Sequence, residues 1–269
     1  MVTELNNTTK ISANILKNYS SKVVSAETAV KAIKSGDKIV VHSNCAIPFT
    51  LIDAMVGRKD ELEGVLLYHA LSVGKLSYLQ PGLEKHFRHV ATFMGAEARI
   101  AVGEGRADFI PTYLYEVPLL FTKGFVKPNV ALINVSPPDE HGFCSYGVEV
   151  GITKSAAEHC DIIIAQVNKN MPRALGDSFI HINKINYIVE VDDPISELAQ
   201  GERNLSPEWE NIYSNIGKNI AELVEDGSTL QLGIGVIPDA VLKFLTTKRD
   251  LGIHTEMFSD GIIQLVRSE

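Results

Sequence analysis

The sequence lacks the features that would place the chain in a membrane or a disulfide scaffold. No stretch approaches the roughly 18 apolar residues that a membrane-spanning helix needs. The opening residues, MVTELNNTTKIS, have no basic start followed by an apolar run, so we expect no signal peptide. The three cysteines, Cys45, Cys144 and Cys160, are odd in number and scattered, which indicates a reducing compartment. These absences predict a cytoplasmic protein without a membrane partner.

Positive charge is also scarce. The chain has 25 Lys and Arg against 33 Asp and Glu, a formal net charge of -8, which argues against nucleic-acid and anionic-membrane partners. Its 45% apolar and 22% charged residues are typical of a soluble globular protein. A length of 269 residues allows one large or two ordinary domains.

Short apolar runs between helical patterns predict an α/β fold with an open, mainly parallel sheet. A helix is expected over 25–36, where Ser25 can cap the start and Gly36 the end. Runs rich in Val and Ile are apolar at consecutive positions, as in strands covered on both faces. These runs are 38–43, 65–70, 130–136 and 161–167.

The polar stretch 199–210, AQGERNLSPEWE, predicts a boundary between a first domain, 1–200, and a second, 210–269. The two sides resemble each other. KAIKSGDKIVVHSNCAIPFTLIDAM and ELVEDGSTLQLGIGVIPDAVLKFL both read as helix, Gly, strand, small-residue loop, Ile-Pro and helix. This repeat predicts two domains of like topology. The second has no counterpart of the later strands, so we expect it to be truncated.

The second copy has an acidic residue at the end of its second strand, where the first copy has none. Where the first has Tyr68, His69 and Ala70, the second has Glu256 in HTEM. A charge is rarely held in a core strand without a reason, and ligands bind at the carboxyl ends of parallel strands. Glu256 is therefore a candidate functional residue, although a loop carboxylate in water fits equally well.

The segment LQLGIGVIPDAV, 230–241, reads as a strand, a glycine turn and a helix start. Gly233 and Gly235 let backbone N–H groups approach a ligand, and a helix N-terminus favours negative charge. A lone GxG is more often only a tight turn. Because it is neither GxGxxG nor a P-loop, we expect neither a dinucleotide nor ATP.

Two further loops contain reactive side chains. In VSPPDEHGFCSYG, 135–147, the spacing of Asp139, His141, Cys144 and Ser145 fits neither a hydrolase triad nor a metal site. We expect a rigid loop that helps to wall a site, and no metal. The segment 166–182 is expected to be a loop whose Arg173 either meets an anion or, more commonly, lies on the surface.

Together these motifs resemble the acetyl-CoA hydrolase/transferase family, and within it the CoA-transferases of the 4-hydroxybutyrate or butyrate:acetate type. The segments that carry the resemblance are SGDKIVVHSNCAIP, HFRHVATFMGAEAR, GRADFIPTYLYEVP, VSPPDEHGFCSYG, NKNMPRALGDSFIHI, LQLGIGVIPDAV and DLGIHTEMFSDG. The resemblance implies two α/β domains of the CoA-transferase fold, of which the second is longer in the family than here.

The resemblance also implies a reaction. An acyl-CoA:carboxylate CoA-transferase would work by a ping-pong mechanism in which Glu256 is the nucleophile and forms a glutamyl-CoA thioester. The CoA thioester site would be lined by Gln231, Leu232, Gly233, Ile234 and Gly235. The expected partners are an acyl-CoA and a short-chain carboxylate, with a homo-oligomer as a further option; no permanent cofactor is implied. The alternatives are an acetyl-CoA hydrolase, with water as the acceptor, and a non-catalytic truncated fragment.

Overall fold

The computed structural model describes residues 13–198 and 206–268. The chain divides into two compact units, residues 1–198 and 199–269. The opening residues 1–12, on which the expectation about a signal peptide depends, and the linker residues 199–205 lie outside the described residues. The assignment of residues 1–200 and 210–269 to two CoA-transferase domains stays a prediction.

A seven-stranded sheet forms the centre of the first unit, and all of its strand pairs are parallel. Its strand order is β4-β3-β2-β1-β5-β7-β9, and β6 and β8 form a separate antiparallel pair. This confirms the predicted α/β class and the mainly parallel sheet. The strands are β1 (Lys38–Val41), β2 (Val65–His69), β3 (Phe87–Ala91), β4 (Ala107–Phe109), β5 (Val130–Val135), β6 (Phe143–Ser145), β7 (Ile162–Asn168), β8 (Phe179–His181) and β9 (Tyr187–Val191).

Helices cover both faces of this sheet, as parallel strands require. One face buries Ile39, Leu67 and Leu132 against α2 and α3, and the other buries Val40 and Ala131. The helices are α1 (Ala13–Lys22), α2 (Ala26–Ala29), α3 (Phe49–Val56), α4 (Ala96–Gly103), α5 (Val117–Thr122) and α6 (Gly151–Ala157). Short 3-10 turns lie at Val30–Ala32, Lys59–Glu61, Ser77–Leu79, Leu114–Glu116 and Ile182–Lys184.

Several local predictions about the first unit were wrong. The expected helix over 25–36 is only α2 followed by a 3-10 turn, although Ser25 does cap it, accepting the Thr28 N–H at 3.2 Å. The expected loop 166–182 contains β8, which pairs with β6 inside the expected loop 135–147. Strands β3, β4 and β9 were not predicted. No helix in the described ranges is long and apolar enough to cross a membrane.

A buried polar cluster lies between β2 and β3. The Tyr78 hydroxyl is 2.8 Å from His69 Nε2 and 2.8 Å from His89 Nδ1, and the three rings lie nearly parallel. Both histidines have no exposed surface, and His69 Nδ1 and His89 Nε2 have no hydrogen-bond partner among the residues that the structure describes. Burial lowers the pKa of His89 to about 4. Burial, with a smaller effect of His89, also lowers the pKa of His69 well below its ordinary value.

Helix α1 is fastened to the last strand of the sheet. The buried Tyr19 donates its hydroxyl to Glu190 Oε1 at 2.9 Å, and the Lys22 ammonium donates to the carbonyl oxygens of Ile182 and Ile185, each at 2.7 Å. These contacts join residues more than 150 positions apart in the sequence. The first and last described segments of the unit therefore close onto each other.

The second unit begins with α7 (Pro207–Leu223), whose first turn lies inside the stretch expected to be a linker. Strands β10 (Thr229–Leu230) and β11 (Gly252–Ile253) are parallel, with α8 (Val236–Phe244) and a 3-10 turn (Leu245–Thr247) between them and α9 (Asp260–Ser268) after them. Gly217 is the contact point between α7 and α8. A Cβ there would lie 2.7 Å from the Ala240 carbonyl oxygen, so only glycine allows this approach.

The repeat is visible in strand register. Two residues after Gly36, Lys38 pairs with Leu66; two residues after Gly227, Thr229 pairs with Gly252. Both pairs are parallel, and each has a helix in its crossover. This shared register supports the predicted likeness of the two copies.

Candidate active site

Two short parallel strands bring the predicted residues to one edge of the second unit. Gln231 follows β10 directly, and Glu256 comes three residues after the end of β11. The pairing continues one step past β11, where the His254 N–H donates to the Leu230 carbonyl oxygen at 2.9 Å. Because carboxyl ends of parallel strands meet at one edge, Gln231 and Glu256 become neighbours.

Their side chains are in contact. The Gln231 amide Nε2 donates to Glu256 Oε2, and both side chains are exposed. Glu256 does not lie inside a core strand, because β11 ends at Ile253; it lies just past the carboxyl end of that strand as an exposed loop carboxylate, which was the alternative expectation. Glu256 is four residues after Gly252, as Ala70 is four residues after Leu66, so the place inferred from the repeat agrees with the strand register.

Thr255 links the two loops. Its hydroxyl Oγ1 donates to the Leu232 carbonyl oxygen at 2.6 Å and accepts the Leu232 N–H at 3.0 Å. The sequence analysis did not select Thr255. The only sequence feature that could have indicated Thr255 was its hydroxyl group next to the candidate nucleophile.

The glycine loop Gln231–Gly235 is largely open. Gly233 is exposed, and a Cβ there would meet nothing within 4 Å. Gly235 precedes the first residue of α8 at a φ of +125°, which is strained for any residue except glycine. Leu232 packs against the apolar cluster of the unit, whereas the Ile234 side chain is exposed. Leu232 thus holds the loop against the apolar cluster, while Gly233 and Ile234 are exposed just before the N-terminus of α8.

The other residues selected from the sequence lie in the first unit. The Asp139 carboxylate accepts the N–H groups of His141, at 2.9 Å, and Phe143, at 2.8 Å, and binds Arg173 Nη2 at 2.6 Å. Arg173 also donates to the Phe143 carbonyl oxygen, so its guanidinium is engaged in contacts that stabilise the β6–β8 region. Burial raises the pKa of the Cys144 thiol.

No metal cluster is present in the part of the chain that the structure describes, since no group of three or more His, Cys, Asp or Glu side chains could hold an ion there. The β10–β11 edge presents carboxylate, amide, hydroxyl and backbone groups. An exposed carboxylate oriented by an amide beside an open glycine loop is suited to nucleophilic attack on an acyl group.

Similarity to known proteins covers most of the chain. A 4-hydroxybutyrate coenzyme A transferase of Clostridium kluyveri is 48% identical over 250 residues, which are 93% of this chain and 57% of that protein. A succinyl-CoA:acetate/propanoyl-CoA:succinate CoA transferase of Fasciola hepatica is 41% identical over 87% of this chain and 48% of its own length. The chain therefore spans about half the length of the curated relatives it matches.

Solved structures agree with this similarity. The crystal structure of a 4-hydroxybutyrate CoA-transferase from Porphyromonas gingivalis matches with a TM-score of 0.79 and 38% identity, over 93% of this chain and 58% of that one. RipA from Yersinia pestis matches with a TM-score of 0.85 and 29% identity, over 94% and 60%. Residues 7–198 match the model of the acetyl-CoA hydrolase/transferase N-terminal domain. The chain belongs to the acetyl-CoA hydrolase/transferase family.

Proposed function

We propose that the protein is an acyl-CoA:carboxylate CoA-transferase in which Glu256 is the nucleophile. The observation that carries the proposal is the exposed Glu256 carboxylate, which accepts a hydrogen bond from Gln231 beside the open glycine loop. The names of the Clostridium kluyveri and Fasciola hepatica relatives support the reaction class. They also support an acyl-CoA and a short carboxylate as the two substrates.

In the first half-reaction, an oxygen of Glu256 attacks the thioester carbonyl carbon. The C–S bond breaks, CoA leaves as a thiolate, and an acyl-glutamyl anhydride remains. The thiolate then attacks the glutamyl carbonyl carbon, and the bond from that carbon to the bridging oxygen of the anhydride breaks, so that this oxygen leaves with the acyl group. The products are a free carboxylate and a glutamyl-CoA thioester. An incoming carboxylate reverses these steps, and the thioester energy is conserved.

Gln231 orients the nucleophile without cancelling its charge. Its neutral amide donates to Oε2 of Glu256, which leaves Oε1 to attack. A cation in the same place would stabilise the carboxylate more strongly in the ground state and lower its reactivity.

Backbone N–H groups of the glycine loop stabilise the negative charge that develops on the thioester oxygen. The N–H groups of Gly233 and Gly235 have no acceptor among the described residues, and no side chain of their own covers them. Hydrogen-bond donors aimed at such an oxyanion are worth several kcal/mol, about 2.7–4 for one side-chain donor in a well-studied case. The N-terminus of α8 adds a favourable dipole.

Covalent trapping tests the proposal. The chain is incubated with butyryl-CoA and treated with borohydride, which reduces a glutamyl thioester to an alcohol, and the modified peptide is identified by mass spectrometry. We expect modification at Glu256 and none in Glu256→Gln. The matched control is Glu222→Gln, because Glu222 is an exposed carboxylate of the same unit. The Clostridium kluyveri relative serves as the positive control for the reagents.

Modification at another residue, or an unlabelled chain when the relative is labelled, would contradict the proposal. The acceptor is tested separately by adding acetate. A transferase forms acetyl-CoA in proportion to acetate and releases little free CoA. Rapid release of CoA without acetate would instead favour the hydrolase.

A further inference from the structure

We infer that Thr255 is a positioning residue whose hydroxyl holds the glycine loop Gln231–Gly235 beside Glu256 in the reactive arrangement. This inference rests on the proposed function. It adds to that function a residue that touches neither the acyl group nor CoA and acts only through Leu232 and Glu256.

The first argument is the double hydrogen bond. One hydroxyl group meets both backbone polar groups of a single residue, at 2.6 Å to the Leu232 carbonyl oxygen and 3.0 Å from the Leu232 nitrogen. Leu232 is next to Gln231, and Thr255 is next to Glu256. The hydroxyl therefore joins the two loops one residue away from the contact between amide and carboxylate.

The second argument is the orientation of one peptide plane. The peptide between Leu232 and Gly233 is trans, so its carbonyl oxygen and its N–H point in opposite directions. Since the carbonyl oxygen is turned towards Thr255, the Gly233 N–H is turned away from it. No described residue accepts that N–H. The Thr255 hydroxyl thus fixes the direction of a donor that the proposed mechanism uses.

The third argument is that the Thr255 link is less exposed than the neighbouring link between the two loops. Gln231 hydrogen-bonds Glu256, and both of those side chains are exposed. Exposed polar contacts are weak, whereas Thr255 and Leu232 are half-buried. Thr255 is therefore the firmer of the two links.

The test compares Thr255→Val, which keeps the branched shape and removes the hydroxyl, with Thr255→Ser, which keeps the hydroxyl. The first measurement is hydrogen exchange of the Leu232 amide, which needs no activity. We expect protection in the wild type and in Thr255→Ser, and much faster exchange in Thr255→Val. Equal exchange in all three chains would overturn the inference.

The second measurement is the rate of butyryl-CoA labelling at Glu256 as a function of butyryl-CoA concentration. A misplacement of about 1 Å can lower a rate about a hundredfold, so we expect a loss of that order in the maximal rate of Thr255→Val. The concentration for half-maximal labelling should change little, and Thr255→Ser should recover most of the rate. A merely structural threonine would instead lower the melting temperature and leave the maximal rate of the folded fraction unchanged.

The outcomes separate the two proposals. If the wild type is labelled at Glu256 and Thr255→Val is labelled equally fast, the positioning role is refuted and the proposed function stands. If the wild type is not labelled while the Clostridium kluyveri relative is, the proposed function fails and the reactive role of Thr255 fails with it.

Discussion

Acidification from pH 7 to pH 5 should destabilise the first unit, because of the buried cluster of His69, Tyr78 and His89. The Tyr78 hydroxyl can donate to one ring nitrogen and accept from the other, so both of its hydrogen bonds form with the two histidines neutral. Among the described residues, neither ring is hydrogen-bonded to a carboxylate. In the unfolded chain both rings accept a proton near their ordinary pKa.

The sign and size of the effect follow from the pKa of His89. Its folded value, about 4, lies below the ordinary 6.5, so the unfolded chain binds the proton first as the pH falls. The stabilisation is complete above about pH 6.5 and is lost as the pH falls towards 4. The loss from His89 alone is about 2 kcal/mol at pH 5 and about 3 kcal/mol once the pH is below 4. His69 acts in the same direction.

Urea unfolding at pH 7, 6 and 5 measures this loss. The only tryptophan, Trp209, lies in α7 of the second unit, so its fluorescence follows that unit. Far-UV circular dichroism follows the helices of both units, so the unfolding of the first unit is the part of its change that the fluorescence does not show. Over this range His89→Gln should reduce the pH dependence by about 2 kcal/mol. Tyr78→Phe is the matched control: it leaves both rings buried, and it should lower stability at every pH while keeping the dependence.

The buried Glu149 carboxylate contributes outside this pH range. Burial raises its pKa, but its contact with His42 outweighs burial and the pKa is lowered overall, so the contribution of Glu149 is lost only at more acid pH. An unfolding free energy of the first unit that is flat between pH 7 and pH 5 would refute the reasoning. So would an unchanged dependence in His89→Gln.

Three further predictions concern single substitutions. Glu256→Asp should slow covalent labelling about a hundredfold, because the shorter side chain withdraws the carboxylate by more than about 1 Å; a normal rate would contradict the assigned geometry. Gly217→Ala should lower the free energy of unfolding of the second unit, followed by tryptophan fluorescence, by about 1–3 kcal/mol, because the clash with α8 outweighs a gain of about 1 kcal/mol in helix propensity. The control Ser214→Ala, on the exposed side of α7, should not lower it. Ser25→Ala should remove the cap of α2 and lower stability by about 1 kcal/mol, whereas Ser25→Asp should keep it; equal melting temperatures of the two variants would contradict this.

The sequence predicts the strands whose runs of Val and Ile are buried on both faces. It fails at β3, FRHVA, because Arg88 and His89 interrupt the apolar run. His89 is nevertheless buried, since Tyr78 supplies a hydrogen bond that no local pattern reveals. It also fails at β8, three residues long, whose partner β6 lies more than 30 residues earlier. Short strands of this kind are decided by tertiary pairing.

The candidate site is predicted in part. The repeat locates Glu256 through its missing equivalent near Ala70, and the shared strand register agrees with that location. One physical reason given for it does not apply, because the carboxylate is exposed rather than held in a core strand, whereas its place at the carboxyl edge of parallel strands agrees with the structure. Thr255 could not be found in this way. Its partner is a backbone group 23 residues away, and a threonine in a loop carries no signal of such a bond.

The fastening of α1 to β9 has a consequence for biosynthesis. Tyr19 is synthesised 171 residues before its partner Glu190. Lys22 is synthesised 160 and 163 residues before Ile182 and Ile185, whose carbonyl groups it binds. At 5–20 residues per second, about 10–30 s pass between the two ends of this contact. During translation the amphipathic helix has none of these partners, and neighbouring parts of the sheet emerge first. The packing of α1 against the sheet is therefore a late step of folding on the ribosome. Until β9 emerges, the face of α1 that will contact it stays exposed to chaperones.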